Sequence, residues 1–301
     1  MTNVSFTFDH SMREFFSYPD PSFPFIVWTG ELTSMPNGIM DCHWHNEFEY
    51  CVLLSGKLSF YIDGKLIHMR EGDAVFINSN VLHMAKPVEK VGDAMIFTVS
   101  FLPSLFTGGT NGKLHKKYFL PILQSSCRGF SVKDENADDC KIIALLNQIY
   151  ALECSKDEDY ELSCLGLISK LWSETLRHIK KHSDIILAIS SEQRYEQKTK
   201  DAVSFIHEHF AEKICIADIT RQTFVSRSEL FRSFQHYMNQ TPIEYLLEYR
   251  LAQAANELMK TDKSVTQIAI DCGFSGASYF GKAFKNKYKI SPLKFRNQLY
   301  I

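Results

Sequence analysis

Three histidines and a glutamate fall close together as His43-x-His45-x-x-x-Glu49, with His83 further on, among the aromatic residues Trp28, Trp44, Tyr50, Phe60 and Tyr61. Aromatic faces can stack on a sugar or an aromatic ring while His43, His45 and His83 fix its orientation, so the residue types suit recognition of a small molecule. The same aromatics also suit a plain core. Nothing beyond this set supplies a nucleophile or a general acid and base. The eight cysteines form no C-x-x-C pair or metal-finger spacing and are expected to be reduced.

These residues sit in a segment, Phe25 to about Phe101, of short strand-like runs such as Glu49-Tyr-Cys-Val-Leu-Leu and Ala74-Val-Phe-Ile, separated by Ser55-Gly56, Asp63-Gly64 and Glu71-Gly72-Asp73. Turn signals at that spacing predict a small antiparallel sandwich or barrel. A Gly-rich loop follows at 103–113. Apolar residues at helical spacing then predict two amphipathic helices, over Asp138–Glu153 and Glu161–Lys181, packed either on the barrel or on a second copy of the chain. The polar stretch 189–200 reads as a linker.

The C-terminal segment reads as helices broken by short turns, and it repeats. Leu230, Phe234, Thr241-Pro242 and Tyr245 recur fifty residues later as Phe280, Phe284, Ser291-Pro292 and Phe295. One supersecondary unit has been used twice. In each copy a short helix (Ile216–Thr223; Val265–Cys272) leads through a turn to a second helix (Arg227–Tyr237; Gly276–Lys287) with one apolar stripe and an opposite polar and basic face, which is what a DNA major groove would meet. Charge runs the same way. Residues 196–301 carry 15 Lys/Arg against 11 Asp/Glu, whereas residues 1–195 carry 18 against 24. A basic module behind an acidic one suits a polyanion binder attached to something else. No apolar run approaches the ~18–20 residues of a membrane span, so the chain is expected to be soluble, unexported and cytoplasmic.

Over roughly residues 199–296 the sequence resembles the AraC/XylS family of transcription regulators. The resemblance rests on Ser226…Leu230-x-Arg232-x-Phe234, on Thr241-Pro242…Tyr245…Arg250-Leu251…Ala254, and on Ile268-Ala269…Gly273-Phe274…Ser278-Tyr279-Phe280…Phe284-Lys285…Ser291-Pro292…Phe295-Arg296. It implies DNA-facing residues Arg227, Ser228, Glu229, Arg232 and Ser233 in the first unit, and Gly276, Ala277, Ser278, Tyr279 and Lys282 in the second. Arg232 can offer a planar fork to guanine, whereas Lys282 is a point charge that suits a phosphate. Thr220, Thr223 and Phe224 depart from the family's usual Ala, Leu and Gly, which bears on how the first unit docks.

In the strand-rich half, His43-x-His45-x-x-x-Glu49…Gly56 and Gly72…Asn80-x-x-His83 resemble the two-part motif of the cupin superfamily. In metal-binding cupins these His and Glu residues converge, and neutral imidazoles with a carboxylate suit Fe, Mn, Zn or Ni. Sensor domains of the AraC/XylS family commonly hold an organic effector there without metal. Three uses therefore stand open: polar contacts to an effector, a divalent metal site, and hydrogen-bonded structural histidines.

The expected fold has two domains: an N-terminal mainly-β cupin-like barrel with amphipathic helices, and a C-terminal all-α domain with two helix-turn-helix units. The boundaries are 1–113 for the effector-sensing barrel, 114–188 for a helical dimerisation or packing region, 189–198 for a linker and 199–301 for the DNA-binding domain. The expected function is sequence-specific transcription regulation without catalysis. A small-molecule effector, a sugar among the candidates, is contacted by His43, His45, Glu49, His83, Trp28 and Tyr50. No cofactor is expected, with His43, His45, Glu49 and His83 as the ligands should a divalent metal bind. Partners are double-stranded promoter DNA, a second copy in a homodimer, and RNA polymerase. The rival reading is a metal-dependent cupin enzyme, an oxygenase or sugar isomerase, with a regulatory tail.

Overall fold

The computed structural model describes residues 7–10, 12–32, 35, 38–88, 94–107, 112–136, 139–182 and 191–297. The strand-like runs form two antiparallel sheets. One has the order β11-β8-β5-β10-β3, from Gly129–Val132, Ala74–Ile77, Phe48–Ser55, Met95–Phe101 and Phe25–Glu31. The other has the order β4-β9-β6-β7, from Met40–His43, His83–Pro87, Lys57–Ile62 and Lys65–Arg70. Asp63-Gly64 joins β6 to β7 with both residues at positive φ, 50° and 73°, the left-handed pair that a tight two-residue hairpin needs. A short antiparallel pair, β1 (Thr7–Phe8) and β2 (Glu14–Phe15), precedes both sheets.

Strand β5 is covered on both faces. Cys51 and Leu53 point between the sheets and join Leu58, Phe60, Val75, Ile77 and Ile96 in one apolar core. Phe48, Tyr50 and Val52 point the other way, against α3 (Asp139–Ser155) and α4 (Tyr160–His182), whose Ile142, Leu146, Ile149, Ile168, Leu171 and Trp172 complete a second core. The helices thus spend their buried stripes on the sheet of their own chain. Part of the expected Gly-rich loop is a single helical turn, α1 (Ser104–Thr107). A π-helical turn at His115–Phe119 leads into α2 (Leu120–Leu123). Strand β11 had no sequence signal; its four residues are too few to show a period.

The C-terminal helices are α5 (Ser191–His209), α6 (Ile216–Thr223), α7 (Arg227–Met238), α8 (Pro242–Lys260), α9 (Val265–Asp271), α10 (Ala277–Tyr288) and α11 (Pro292–Asn297). Starts are set by side-chain caps. Ser226 with Glu229, and Thr241 with Glu244, each exchange two hydrogen bonds in a capping box, and Pro242 needs no amide partner at the first helical position. Two arginines close helix ends. Arg250 donates to the carbonyls of Phe210 and Glu212, and Arg296 to those of Leu258 and Lys263.

The expected linker needs correction. Helix α5 runs unbroken from Ser191, and the chain divides into its two compact units between Arg194 and Tyr195, inside that helix. Glu, Gln, Arg and Lys are good helix formers, and the stretch holds no Gly or Pro, so its composition suits a helix rather than a loop, one that buries Glu196, Thr199 and Lys200. Residues 183–190, which carry the rest of the expected boundary, lie outside the described residues. Among the described residues no helix is long and apolar enough to cross a membrane.

The two helix-turn-helix turns solve one problem differently. Gly273 takes φ 77°, and a Cβ there would lie 2.5 Å from the Phe210 carbonyl oxygen. At the corresponding turn Phe224 is forced to φ 54° with its ring 87% exposed. A left-handed non-glycine residue costs about 1–2 kcal/mol, less what glycine adds to unfolded-chain entropy. Phe224→Gly should therefore raise stability by about 0.5–1 kcal/mol, and Gly273→Ala should lower it by about 2 kcal/mol or more, as read by thermal and urea melts.

Candidate functional site

Two groups of residues stand out, one in each unit. In the C-terminal unit, α7 buries Leu230, Phe234, Tyr237 and Met238, which turns Ser228, Arg232 and Gln235 outward on one stripe. Helix α10 buries Phe280 and Phe284 and presents Ser278, Tyr279, Lys282 and Lys285. Gln235 and Lys285 were not among the residues carried over from the family motif; the 3.6-residue period of their helices was the signal that places them. Arg227 is exposed with its guanidinium 5.5 Å from the Phe231 ring centroid. Gly276 and Ala277 lie half-buried at the start of α10, Gly276 with open space where a Cβ would stand.

Two expected DNA contacts do different work. Ser233 is buried, and its hydroxyl donates to the Leu230 carbonyl at 3.0 Å, so it faces the domain core. Glu229 accepts the Ser226 amide at 2.8 Å in the capping box, and the interactions with the Ser226 side chain and then its amide hold its carboxyl below the usual range, with the nearby Arg232 charge adding to the effect. A fixed anion at this place orients the helix start and leaves Arg232 as the forked donor on the stripe.

In the N-terminal unit the cupin motif closes up. Antiparallel pairing sets His43 directly opposite His83 on β4 and β9. His45 follows β4, and β5 brings Glu49 across from the facing sheet. One nitrogen from each of His43, His45 and His83 can be chosen such that all three lie within 4.8 Å of one another, and all three residues are buried. Each Nδ1 faces a backbone carbonyl: Asp41 at 2.8 Å, Glu47 at 3.2 Å and Val81 at 2.9 Å. A carbonyl can only accept, so each Nδ1 carries a proton and each Nε2 is left for the centre of the cluster.

The centre is rich in carboxylate. Glu49 Oε2 lies 3.3 Å from His45 Nε2 and accepts the Ser100 hydroxyl at 3.0 Å. Glu14 Oε2 lies 3.3 Å from His43 Nε2. Glu49 Oε1 has no hydrogen-bond partner among the described residues. Burial by itself would lower the His45 pKa, but the hydrogen bond to Glu49 and the charges of Glu49, Glu14 and Glu47 outweigh it and push it up to about 8. Burial likewise would raise Glu49, yet the His45 contact, with His43 and Ser100, holds it low.

The aromatic residues divide. Phe60 stacks nearly parallel to His83 and Trp28 packs on the core between the sheets. Tyr50, expected at the effector, is on the other face of β5, where its hydroxyl bonds Thr175 of α4. The period of two along β5 that aims Glu49 inward aims Tyr50 out. Trp44 lies under the Arg13 guanidinium, and Tyr61 under Lys86. Sequence reading missed Glu14, Phe8 and Phe16. The pair β1–β2 is tied down by the Glu14 amide donating to the Trp44 carbonyl, and it sets Phe8 edge-on to His43 and Phe16 edge-on to His45.

Known proteins share both parts. A helix-turn-helix domain profile matches residues 219–298 and a cupin domain profile matches residues 30–99. The chain is 26% identical over 294 residues to the HTH-type transcriptional regulator YdeC of Bacillus subtilis, across 97% of this chain and 98% of that one. It is 23% identical over 262 residues to the HTH-type transcriptional activator RhaS of Escherichia fergusonii, across 87% and 89%. It is also similar to a crystal structure of a transcriptional regulator with an AraC-type DNA-binding domain from Chromobacterium violaceum, 34% identical over 36% of this chain and 96% of that one, with a TM-score of 0.34. The molecule is a DNA-binding transcription regulator with a cupin domain ahead of its helix-turn-helix domain. It belongs to the AraC family.

On this interface Arg232→Ala should cost about 1–3 kcal/mol at the preferred site and relax base preference at one position. Lys282→Ala should weaken binding to all sequences alike and lower the salt slope by about one unit. Ser233→Ala should leave both base preference and salt slope unchanged. Binding-site selection and salt titration on the three variants check these outcomes.

Proposed function

We propose that this regulator responds to a small polar effector, such as a sugar, held by His43, His45, His83 and Glu49 in the cupin domain. Occupancy changes how the DNA-binding domains of a homodimer are offered to neighbouring half-sites on promoter DNA, with RNA polymerase as the further partner. A ligand can do this only by binding one arrangement more tightly than another. The observation that carries the reading is the convergence of three buried imidazoles on a buried carboxylate. Ionisable groups brought out of water at that density cost several kcal/mol unless a partner offsets the loss. Phe60 and Trp28 furnish the apolar walls between the sheets, and the proposed contact set leaves out Tyr50, which faces α4, and takes in Glu14 beside His43.

One observation favours a divalent metal as the occupant instead. With every Nδ1–H given to a carbonyl, a neutral ring turns its Nε2 lone pair toward the cluster, and a lone pair facing a carboxylate at 3.3 Å needs a proton or a cation between them. Backbone carbonyls behind Nδ1 are also the usual outer shell of metal-bound histidines. The donor set therefore fits Fe, Mn, Zn or Ni, with His43, His45, His83 and Glu49 as the residues that would hold it. Such an ion would supply positive charge that fixes the carboxylates, and an anchor for an oxygen-bearing effector.

A thermal-shift screen against sugars and small metabolites, followed by DNA binding with each hit, tests the main reading. His43→Gln/His45→Gln should abolish the effector response while leaving effector-free DNA affinity within about twofold, and Tyr50→Phe should leave the response intact. Loss of DNA affinity together with folding would make the histidines structural.

The pH dependence separates proton from metal. In chelator-treated protein the His45–Glu49 pair contributes stability that is full below the unfolded histidine pKa of about 6.5 and is lost as pH rises through about 8. The melting temperature should fall across that window by the equivalent of about 1–2 kcal/mol, and His45→Gln should flatten the fall. Metal-loaded protein should instead gain stability over the same window, because protons compete for the ligands.

A further inference from the structure

The fifty-residue offset of the repeat sets the second helix of one unit in register with the second helix of the other. On α7 the positions left outside the core are Ser228, Phe231, Arg232 and Gln235, spaced i, i+3, i+4 and i+7 around the buried Leu230 and Phe234. The corresponding positions on α10 are Ser278, Gly281, Lys282 and Lys285, around the buried Phe280 and Phe284. That spacing is the one by which a helix lying in a major groove presents its side chains to successive bases. The two helices thus hold the same places with different chemistry.

The α7 set can tell bases apart. Arg232 offers a planar fork, Gln235 an amide, and Phe231 a half-buried ring with the Arg227 guanidinium 5.5 Å from its centroid. In a major groove these suit guanine, adenine and a thymine methyl in turn. The Gln235 amide gives one N–H to Asn239 Oδ1 at 2.8 Å, which leaves its second N–H and its oxygen as the donor and acceptor that adenine needs. The α10 set has no such groups. Its two ammonium groups are point charges with rotatable donors, suited to phosphate, and a serine hydroxyl pairs with any base. Gly281 adds a second contrast, at the place where α7 carries Phe231. Glycine inside a helix is unfavourable, yet a Cβ at Gly281 would meet nothing within 4 Å, so no neighbour among the described residues calls for a glycine there. A helix face bare of side chain at that place lets a molecule outside the chain approach the backbone closely.

We infer that the two units divide the work on DNA: α7 reads base sequence through Phe231, Arg232 and Gln235, whereas α10 anchors without reading, seated close to the duplex at Gly281 with Lys282 and Lys285 on phosphates. This rests on DNA binding by the domain and is independent of what the cupin site holds. Binding-site selection from random duplex DNA with the full-length protein should return one specified block of bases, and no preference in the block one helical turn, ~10 base pairs, away. Phe231→Gly/Arg232→Lys/Gln235→Lys, which gives α7 the residues of α10, should erase the specified block, keep affinity for random duplex within about threefold and steepen the salt slope by about one unit. Lys282→Arg/Lys285→Gln should write a preference for guanine and adenine into the second block. Gly281→Ala should raise the melting temperature and still weaken binding about tenfold on every sequence. Urea melts of each variant separate lost folding from lost recognition. Two specified blocks in the native protein, a first block that survives the α7 exchange, a second block that stays blank in the α10 variant, or a Gly281→Ala protein that binds as tightly as the native one overturns the division. Absence of salt-dependent binding to any duplex by the folded native protein would overturn DNA binding itself, so the two failures are distinct.

Discussion

Strand β5 is buried on both of its faces, and the strict two-residue alternation this imposes governs the N-terminal unit. Residues 48, 50 and 52 must satisfy the helical side and residues 49, 51 and 53 the space between the sheets. A slip of one residue would put the Glu49 carboxylate against Ile168 and Leu171 and send the Tyr50 hydroxyl among Leu58 and Phe60, so the register is held by the cost of both errors together. The register in turn pairs Glu49 with Ser100 and sets it opposite the histidines that β4 and β9 deliver. The recognition chemistry of the cupin domain is thus a by-product of how a two-sided strand keeps its sides apart.

What gathers at that point is an electrostatic problem that packing alone does not solve. Three imidazoles have given their Nδ1 protons to backbone carbonyls, and two carboxylates sit against the remaining nitrogens. In water these groups would be indifferent to one another; in the interior each needs a proton, a cation or a polar ligand to complete it. The raised His45 pKa is the protein's own solution by protonation. A site that can be completed in more than one way is suited to sensing, because whatever completes it changes the balance of charge beneath the β1–β2 pair.

The C-terminal unit rests on a different economy of means. Two copies of one motif each bury an aromatic stripe, Phe234 with Tyr237 and Phe280 with Phe284, so the opposite helix faces are left to solvent and to DNA. Arg250 and Arg296 each hold two carbonyls at the end of a preceding helix, which fixes where the next short helix begins. Where the copies differ, at Gly273 and Phe224, the second is relaxed and the first strained.

The double helix-turn-helix and its stripes were legible in the sequence, because the 3.6-residue period decides what is buried within a few turns of helix; the equally local capping of Ser226 by Glu229 was not read, and Glu229 was assigned to DNA instead. The sheet turns at Gly56, Asp63-Gly64 and Gly72 were legible for the same local reason. The convergence of His43, His45, Glu49 and His83 was legible only through resemblance to a known motif. Tertiary structure decided the rest. It turned Tyr50 away, since the side of a strand that faces the core is not written in the strand itself, and it folded Ser233 inward onto Leu230. It made a helix of a polar stretch that composition could not tell from a linker. It also carried Glu14 across some thirty residues of chain to His43, a meeting with no local signature, since contacts of that range are fixed only when the sheets and the β1–β2 pair have closed around them.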